Sequence, residues 1–390
     1  MINNCFDIRR LGNVCIYIVL ILVNISYIPG VIMTSNYNII IAFIMFAMAL
    51  NLIMNIGNDW FYGISMYIYY GLFALIICSI IFLFNDVFIF QDTYNIYLSI
   101  TCFLTGYCAL NHEMYFIERC KKIFVLSSLF LGLYSVYNNL GAFKITEQYA
   151  FAIKNSSGVL LASGIVICMF IINKSSKFIQ YFIWGAIIIL LCLCLLTFRS
   201  RAAIISVFVS MMIFLYKSKL LLSIIKNPFV LTLFSSLLLL IYIFDIIVID
   251  YIYNSLFTNT NISSVNSVTS GRLRTYEIGL QVFNQCPLLG NALLNKHLPP
   301  IDNFIIYQLT NYGMMGLLLL LPAYLFVWYI CISGIIKSKI EDLLPYLLLL
   351  ILCMISFTES PFPFGPGSSV FCAWFMYGWW KKRSIEIKIF

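Results

Sequence analysis

Two pairs of arginines stand out in a chain with few charges of any kind. Arg199 and Arg201 lie in "LLTFRSRAAIISVF", and Arg272 and Arg274 lie in "SVTSGRLRTYEIGLQVFNQCPLLG". A guanidinium is permanently charged, and its planar fork of N–H donors matches two phosphate oxygens. Both pairs fall where a helix is expected to begin. Cations in a first helical turn oppose the helix dipole, whereas anions, phosphate above all, are favoured there. Arginines in that position make chemical sense if a phosphate or diphosphate binds between them and the helix ends. Three further side chains could move a proton nearby. Asp302 and His297 stand in "HLPPIDNFIIYQLTNYGMMGLL" and Glu359 in "FTESPFPFGPG". Asp302 reads either as the N-cap of the next helix or as a base. His297 reads as a loop histidine or as a base. Glu359 is a carboxylate placed to pair with one of the arginines.

The stretch after the second pair predicts the element that holds it. Leu273, Tyr276, Leu280 and Phe283 recur at helical spacing, which gives a short amphipathic helix with one apolar face. Ser270 is the expected N-cap and Pro287 the expected stop. At ~100° per residue, Arg272 lies near the edge of that face and Arg274 points away from it. Arg272 is therefore the one expected to reach a site in the membrane domain. Arg274 is expected in solvent or loosely paired with Glu277. Arg201 opens another helix, with Ala202 and Ala203 small enough for a neighbour to approach closely.

The elements that must position these residues are apolar helices. Of 390 residues, 62% are hydrophobic and 10% charged, against about a quarter charged in soluble domains. Apolar runs near the ~20 residues that cross a bilayer recur along the chain. The fold class expected is all-α: a polytopic integral membrane protein of about twelve transmembrane helices, in one domain over 1–390. The expected cores are 11–30, 38–56, 62–84, 94–110, 123–141, 158–172, 178–197, 202–216, 229–249, 304–329, 343–357 and 367–380. A loop over 250–302 separates the ninth from the tenth. No alternating strand pattern suggests a β-barrel. The first apolar segment follows Arg9 and Arg10 but lacks a small-x-small cleavage site, so it reads as an uncleaved helix. The 13 cysteines lie mostly in apolar segments and the histidines number two, so no disulfide framework and no structural metal site are expected.

Basic residues orient the chain. With the N-terminus inside, 16 of the 23 Lys and Arg fall in inside loops and 7 outside, as the positive-inside rule requires. Both termini are then cytoplasmic. The outside group is Lys144, Lys154, Lys296 and the four paired arginines. Lys144 and Lys154 read as solvated loop lysines.

These pieces together resemble the bacterial O-antigen polymerase/O-antigen ligase superfamily, membrane glycosyltransferases of the GT-C type. The resemblance covers roughly the C-terminal two thirds. It rests on "AIKNSSGVLLASG", "TFRSRAAIISVF", the Gly-Arg-x-x-x-Tyr stretch ending in Pro-Leu-x-Gly, and "DNFIIYQLTNYGMMGLL", in that order. It implies a glycan donor on undecaprenyl diphosphate at the periplasmic face of the inner membrane. An acceptor sugar hydroxyl attacks the anomeric carbon and the lipid diphosphate leaves. Arg201 and Arg272 match the family arginines that contact the diphosphate, with Arg199 and Arg274 beside them. Asp302, His297 and Glu359 are the candidate bases. No metal, nucleotide or other cofactor is implied. The partners implied are the lipid-linked glycan, membrane lipids and a chain-length regulator protein, with no nucleic acid.

One departure separates the two family activities. Ligases, which move glycan to lipid A-core, carry His immediately before the helix-starting Asn, where this chain has Asp302. The polymerase, which joins repeat units, is the leading expectation and the ligase the alternative. A lipid-linked oligosaccharide flippase is a third reading. Flippases carry charges within their spans and related halves; here the spans are nearly free of charge, Asp245 being an exception.

Overall fold

In the computed structural model the described residues are 2–28, scattered positions from 31 to 48, 89–107, 109, 114–138, 154–175, 177–198, 200–218, 272–294, 296–365 and 367–389. Among them every regular element is helical. The helices are α1 (Ile2–Ile25), α2 (Ile89–Tyr107), α3 (Met114–Asn138), α4 (Lys154–Lys174), α5 (Phe178–Phe198) and α6 (Arg201–Lys217). After the described chain resumes come α7 (Arg272–Gln285), α8 (Asn291–Leu294), α9 (Phe304–Lys337), α10 (Leu344–Ile355) and α11 (Phe371–Ile389). Four helical stretches among the described residues are long and apolar enough to cross a membrane: Met114–Asn138, Asn155–Lys174, Phe178–Phe198 and Leu320–Lys337. The chain is thus a helical membrane protein. The expected spans at 62–84 and 229–249, most of that at 38–56, and the loop up to Gly271 with its N-cap Ser270 lie outside the described residues.

α4 is the centre of the described bundle. It packs on α3, α5, α6 and α10, and Val159 to Val166 are all buried, the small residues Ser163 and Gly164 among them. Small residues let helices approach closely where lipid is as apolar as leucine and burial alone drives little. α1 meets α3 through a polar clasp: Asn24 Nδ2 donates to Ser127 Oγ at 2.8 Å, and Ser128 Oγ donates to Asn24 Oδ1 at 3.0 Å. α10 has 12 residues and is almost wholly buried, so at ~1.5 Å per residue it spans only about 18 Å.

The charges at one end differ from the sequence expectation. Arg119, Lys121 and Lys122, expected in a loop, lie within α3. Lys121 is buried there because Glu118, one turn earlier, sits 2.6 Å from its Nζ. Lys174, the last residue of α4, closes the group at 3.0 Å from the same Glu118 oxygen. The pairing lets a cation be buried that would otherwise stay in a loop. At the same end Lys217 Nζ, closing α6, donates to the Ile336 carbonyl at 2.9 Å, near the end of α9.

α9 is not one continuous helix. Gly313 has φ 63° and ψ −155°, which breaks it into 304–312 and 314–337. The sequence expectation of a single span over 304–329 is corrected on this point. That backbone geometry is open essentially to glycine alone. The turn after α7, "CPLLG", is inserted at the break: Met314 N donates to the Pro287 carbonyl at 2.8 Å and Met315 N to the Leu288 carbonyl at 3.2 Å. Two of the orphan N–H groups of the second half-helix are thereby satisfied. Gly290, also at positive φ (60°), faces the break; a Cβ there would lie 2.5 Å from the Thr310 carbonyl oxygen.

This joint fixes α7 to the membrane domain, and it carries a prediction. A Cβ at position 313 would lie 2.5 Å from the Leu288 carbonyl oxygen and 2.6 Å from that of Pro287. Gly313→Val is expected to destabilise the detergent-solubilised protein by at least ~2 kcal/mol, from backbone strain plus the clash. Gly185→Ala is the control, since nothing lies within 4 Å of a Cβ there. Thermal unfolding followed by tryptophan fluorescence should show a clear fall in midpoint for the first and none for the second.

Candidate functional site

The starts of four helices, α4, α6, α7 and α9, come together with the turn that follows α10. Two hydrogen bonds set the last two in register. Phe304 N donates to the Ser356 carbonyl at 3.1 Å, and Asn303 Nδ2 to the Phe357 carbonyl at 3.2 Å. The end of α10 is thus tied to the start of α9, which brings Glu359 beside Asp302.

Asn303, not Asp302, caps α9. Its Oδ1 accepts from Ile305 N at 3.0 Å and Ile306 N at 3.1 Å. This corrects the reading of Asp302 as the N-cap. The physical reason is register. The helix begins at Phe304, so the side chain one residue before it reaches the orphan N–H groups. Asp302 lies one step further out and is released for other work.

That work is contact with Arg272. Arg272 Nε donates to Asp302 Oδ2 at 3.1 Å. Its Nη2 lies 3.7 Å from Glu359 Oε1, an ion pair without a hydrogen bond. Among the described residues, neither Nη of Arg272 makes a hydrogen bond, so the outer fork of the guanidinium is open. Its side chain is 28% exposed, with Asp302 at 34% and Glu359 at 21%. At such exposure the solvent weakens each ion pair. The value of the arrangement lies in fixing where the fork points.

Glu359 is held from the other side. Asn155 Nδ2, in the first turn of α4, donates to Glu359 Oε1. Ser200 Oγ donates to Asn155 Oδ1 at 3.2 Å. Ser200 occupies the N-cap position of α6, yet its side chain makes no cap hydrogen bond. A side-chain cap is typically worth ~1 kcal/mol, and here the hydroxyl is spent on Asn155. The chain of contacts therefore runs Ser200, Asn155, Glu359, Arg272, Asp302 across five segments.

Arg201 begins α6, is half-buried, and lies within range of repulsion by Arg272. Arg274 is exposed, as is Glu277. Arg272 is thus the inward member of its pair. Arg199 lies outside the described residues, as does Lys144. His297 is exposed on the loop before α9 and enters none of the contacts above.

The inward face of α7 differs from the expected one. Gly279 and Val282 are buried, whereas Leu273 is 37% and Leu280 41% exposed. The contact stripe is centred on Gly279 and Val282, with Leu273 and Leu280 turned outward and Tyr276 and Phe283 half-buried at its side. Backbone proximity decides this. A Cβ at Gly279 would meet Thr310 Oγ1 at 2.4 Å, so glycine lets α7 lie directly on α9. Arg272 is seven residues before Gly279, two turns along the same stripe, and is carried to the carboxylates. Tyr276 is half-buried at the side. Burial pushes its phenol above the usual range; Arg272 opposes the rise, and Asp302 and Glu359 add to it. Tyr276 therefore stays a neutral O–H donor beside the charged cluster.

Asn155, Ser200 and Tyr276 were not among the candidate site residues. Asn155 had a signal, since it stands in one of the segments that carry the family resemblance. Ser200 had only its place between two arginines, and Tyr276 reads as one more apolar-face residue.

The electrostatic character of the site is now clear. Two arginines and the partly positive ends of four helices face two carboxylates. Three of the four helices that begin here end in cations: Lys174 closes α4, Lys217 closes α6 and Lys337 closes α9. Each lysine lies where the helix dipole favours it, while Arg201 and Arg272 lie where it does not. These features define the class: a helical membrane protein with a two-arginine, two-carboxylate site at one end of its bundle. Comparison with known proteins adds nothing to that class, since no family model and no curated protein matches the chain.

Proposed function

We propose that this protein is a polymerase of lipid-linked oligosaccharide repeat units, acting on undecaprenyl-diphosphate-linked glycans at the periplasmic face of the bacterial inner membrane. The observation that carries the proposal is the geometry of Arg272. Its Nε is engaged by Asp302 at 3.1 Å, and its Nη atoms make no hydrogen bond among the described residues, Nη2 lying 3.7 Å from Glu359 Oε1. An arginine oriented through one edge, with the other facing the converging N-termini of helices, is suited to a diphosphate. Arg201 adds a second positive charge.

In this reading the lipid diphosphate binds at Arg272 and Arg201. An acceptor sugar hydroxyl attacks the anomeric carbon of the donor glycan. The new glycosidic bond forms as the bond from that carbon to the diphosphate oxygen breaks. The hydroxyl proton passes to a carboxylate of the site, with Asp302 the leading acceptor. The charge that develops on the leaving diphosphate is met by preorganised donors. Cytoplasmic placement of the Lys174, Lys217 and Lys337 ends would put the site on the periplasmic side. The chain supports the polymerase over the ligase because Asp302, rather than His, precedes the capping Asn303.

The deletion phenotype tests this. A host lacking the gene is expected to make lipopolysaccharide capped with a single repeat, visible as loss of the ladder on a silver-stained gel. Complete loss of O-antigen with lipid-linked polymer accumulating would assign the ligase instead. Repeat units accumulating on the cytoplasmic face would assign the flippase.

A further inference from the structure

We infer that Asn155, itself held by Ser200, is a positioning residue that fixes Glu359 against Arg272 and so aims the open guanidinium fork at the bound anion. The inference rests on the proposed reading of the site as a diphosphate site and adds to it a residue that touches neither substrate nor reacting atoms.

Three observations carry it. The amide of Asn155 is used at both ends, Nδ2 donating to Glu359 Oε1 and Oδ1 accepting from Ser200 Oγ at 3.2 Å. That double use fixes its orientation, since only the NH₂ end can donate to a carboxylate. Ser200 is 1% exposed and gives up its side-chain cap of α6 to make this bond. The Glu359 oxygen that Asn155 holds is the same one that faces Arg272 Nη2 at 3.7 Å. Without Asn155 that oxygen loses a donor that holds it beside Arg272.

The same geometry divides the two carboxylates. Glu359 is committed to Asn155 and Arg272. Asp302 uses only Oδ2, and among the described residues its Oδ1 has no partner. Glu359 is thus the fixed counter-ion, and Asp302 keeps an oxygen for a proton.

An exchange of donor and acceptor separates positioning from a plain role in starting α4. An aspartate in a first helical turn is favoured by the dipole, so if Asn155 only helps to begin the helix, Asn155→Asp is neutral or stabilising. If it positions Glu359, Asn155→Asp sets two carboxylates face to face. The double variant Asn155→Asp with Glu359→Gln restores a donor and an acceptor, reversed, at unchanged net charge. Binding of farnesyl diphosphate to the detergent-solubilised full chain is measured by isothermal titration calorimetry, and thermal midpoint is measured without ligand. Asn155→Asp is expected to weaken binding by about tenfold or more, the scale of a lost hydrogen bond to a charged group. It should also lower the midpoint, and the double variant should recover both, to within about threefold in affinity. Wild-type affinity and midpoint in Asn155→Asp overturn the inference, as does a double variant no better than the single one. Failure of the wild-type protein to bind farnesyl diphosphate would sink the diphosphate reading. The midpoint cycle then still decides whether Asn155 holds Glu359.

Discussion

Arg272→Ala is expected to abolish polymerisation, lowering the rate by about 10³-fold or more, the scale for removing one preorganised charged donor at a developing anion. Arg272 meets both site carboxylates, through Nε to Asp302 and Nη2 to Glu359. Its removal takes away the fork and the cation that joins the two carboxylates. Arg272→Lys keeps the charge but not the fork, so it should recover only a part of the activity. Arg201→Ala should fall in the same severe class, because it removes the second positive charge at the start of α6. Arg274→Ala is the internal control. Its side chain is exposed on the far face of α7, where substitutions usually stay within ~0.5 kcal/mol. The measurement is chain-length distribution on a gel, in a deletion host carrying each variant at matched membrane expression. Full activity of Arg272→Ala and Arg201→Ala would remove the diphosphate mechanism.

Asp302→Asn is the second large effect expected. The amide oxygen of asparagine still accepts from Arg272 Nε, so the fork stays aimed and lipid diphosphate binds as before. What is lost is the capacity to take a proton. The turnover rate should fall by ~10²–10⁴-fold, the range for general-base loss, with KM little changed. A variant with wild-type turnover, or one whose loss lies wholly in KM, would return Asp302 to the role of an Arg272 holder. Purified enzyme with a lipid-linked repeat, assayed over a range of substrate concentrations, gives both readouts.

Much of the site could be read from residue types alone. Arg201 and Arg272 are conspicuous because a permanent cation is rare in an apolar chain and has no business in a first helical turn without an anion. Arg272 and Arg274 were separated by phase against an apolar face that the structure turns partly outward; Arg272 lies inward because it shares the side of Gly279. The capping residue was harder. Asp302 and Asn303 are both good N-caps, and which of them serves depends on where the helix starts, a matter of one residue. That start is set by Phe304 N meeting the Ser356 carbonyl at 3.1 Å, a contact between segments more than fifty positions apart. The face of α7 was misassigned for a related reason. Hydrophobicity favours Leu273 and Leu280, but close approach favours Gly279 and Val282, and α7 lies against a helix at a distance only glycine allows.

The amino-acid sequence by itself determined that this protein is built of apolar helices and that Arg201 and Arg272 stand at helix starts. Composition and periodicity suffice for this because a bilayer tolerates little else: backbone groups must be satisfied within helices, and charges must lie at their ends. Only the tertiary structure decided which residues meet. Asn155, Ser200, Arg272, Asp302 and Glu359 come from five separate segments, and no periodicity links them. Their meeting depends on the break at Gly313, on the turn inserted there, and on the bond that ties the end of α10 to the start of α9. Each is a long-range contact whose geometry is fixed by packing, and packing is not written in the spacing of any one segment.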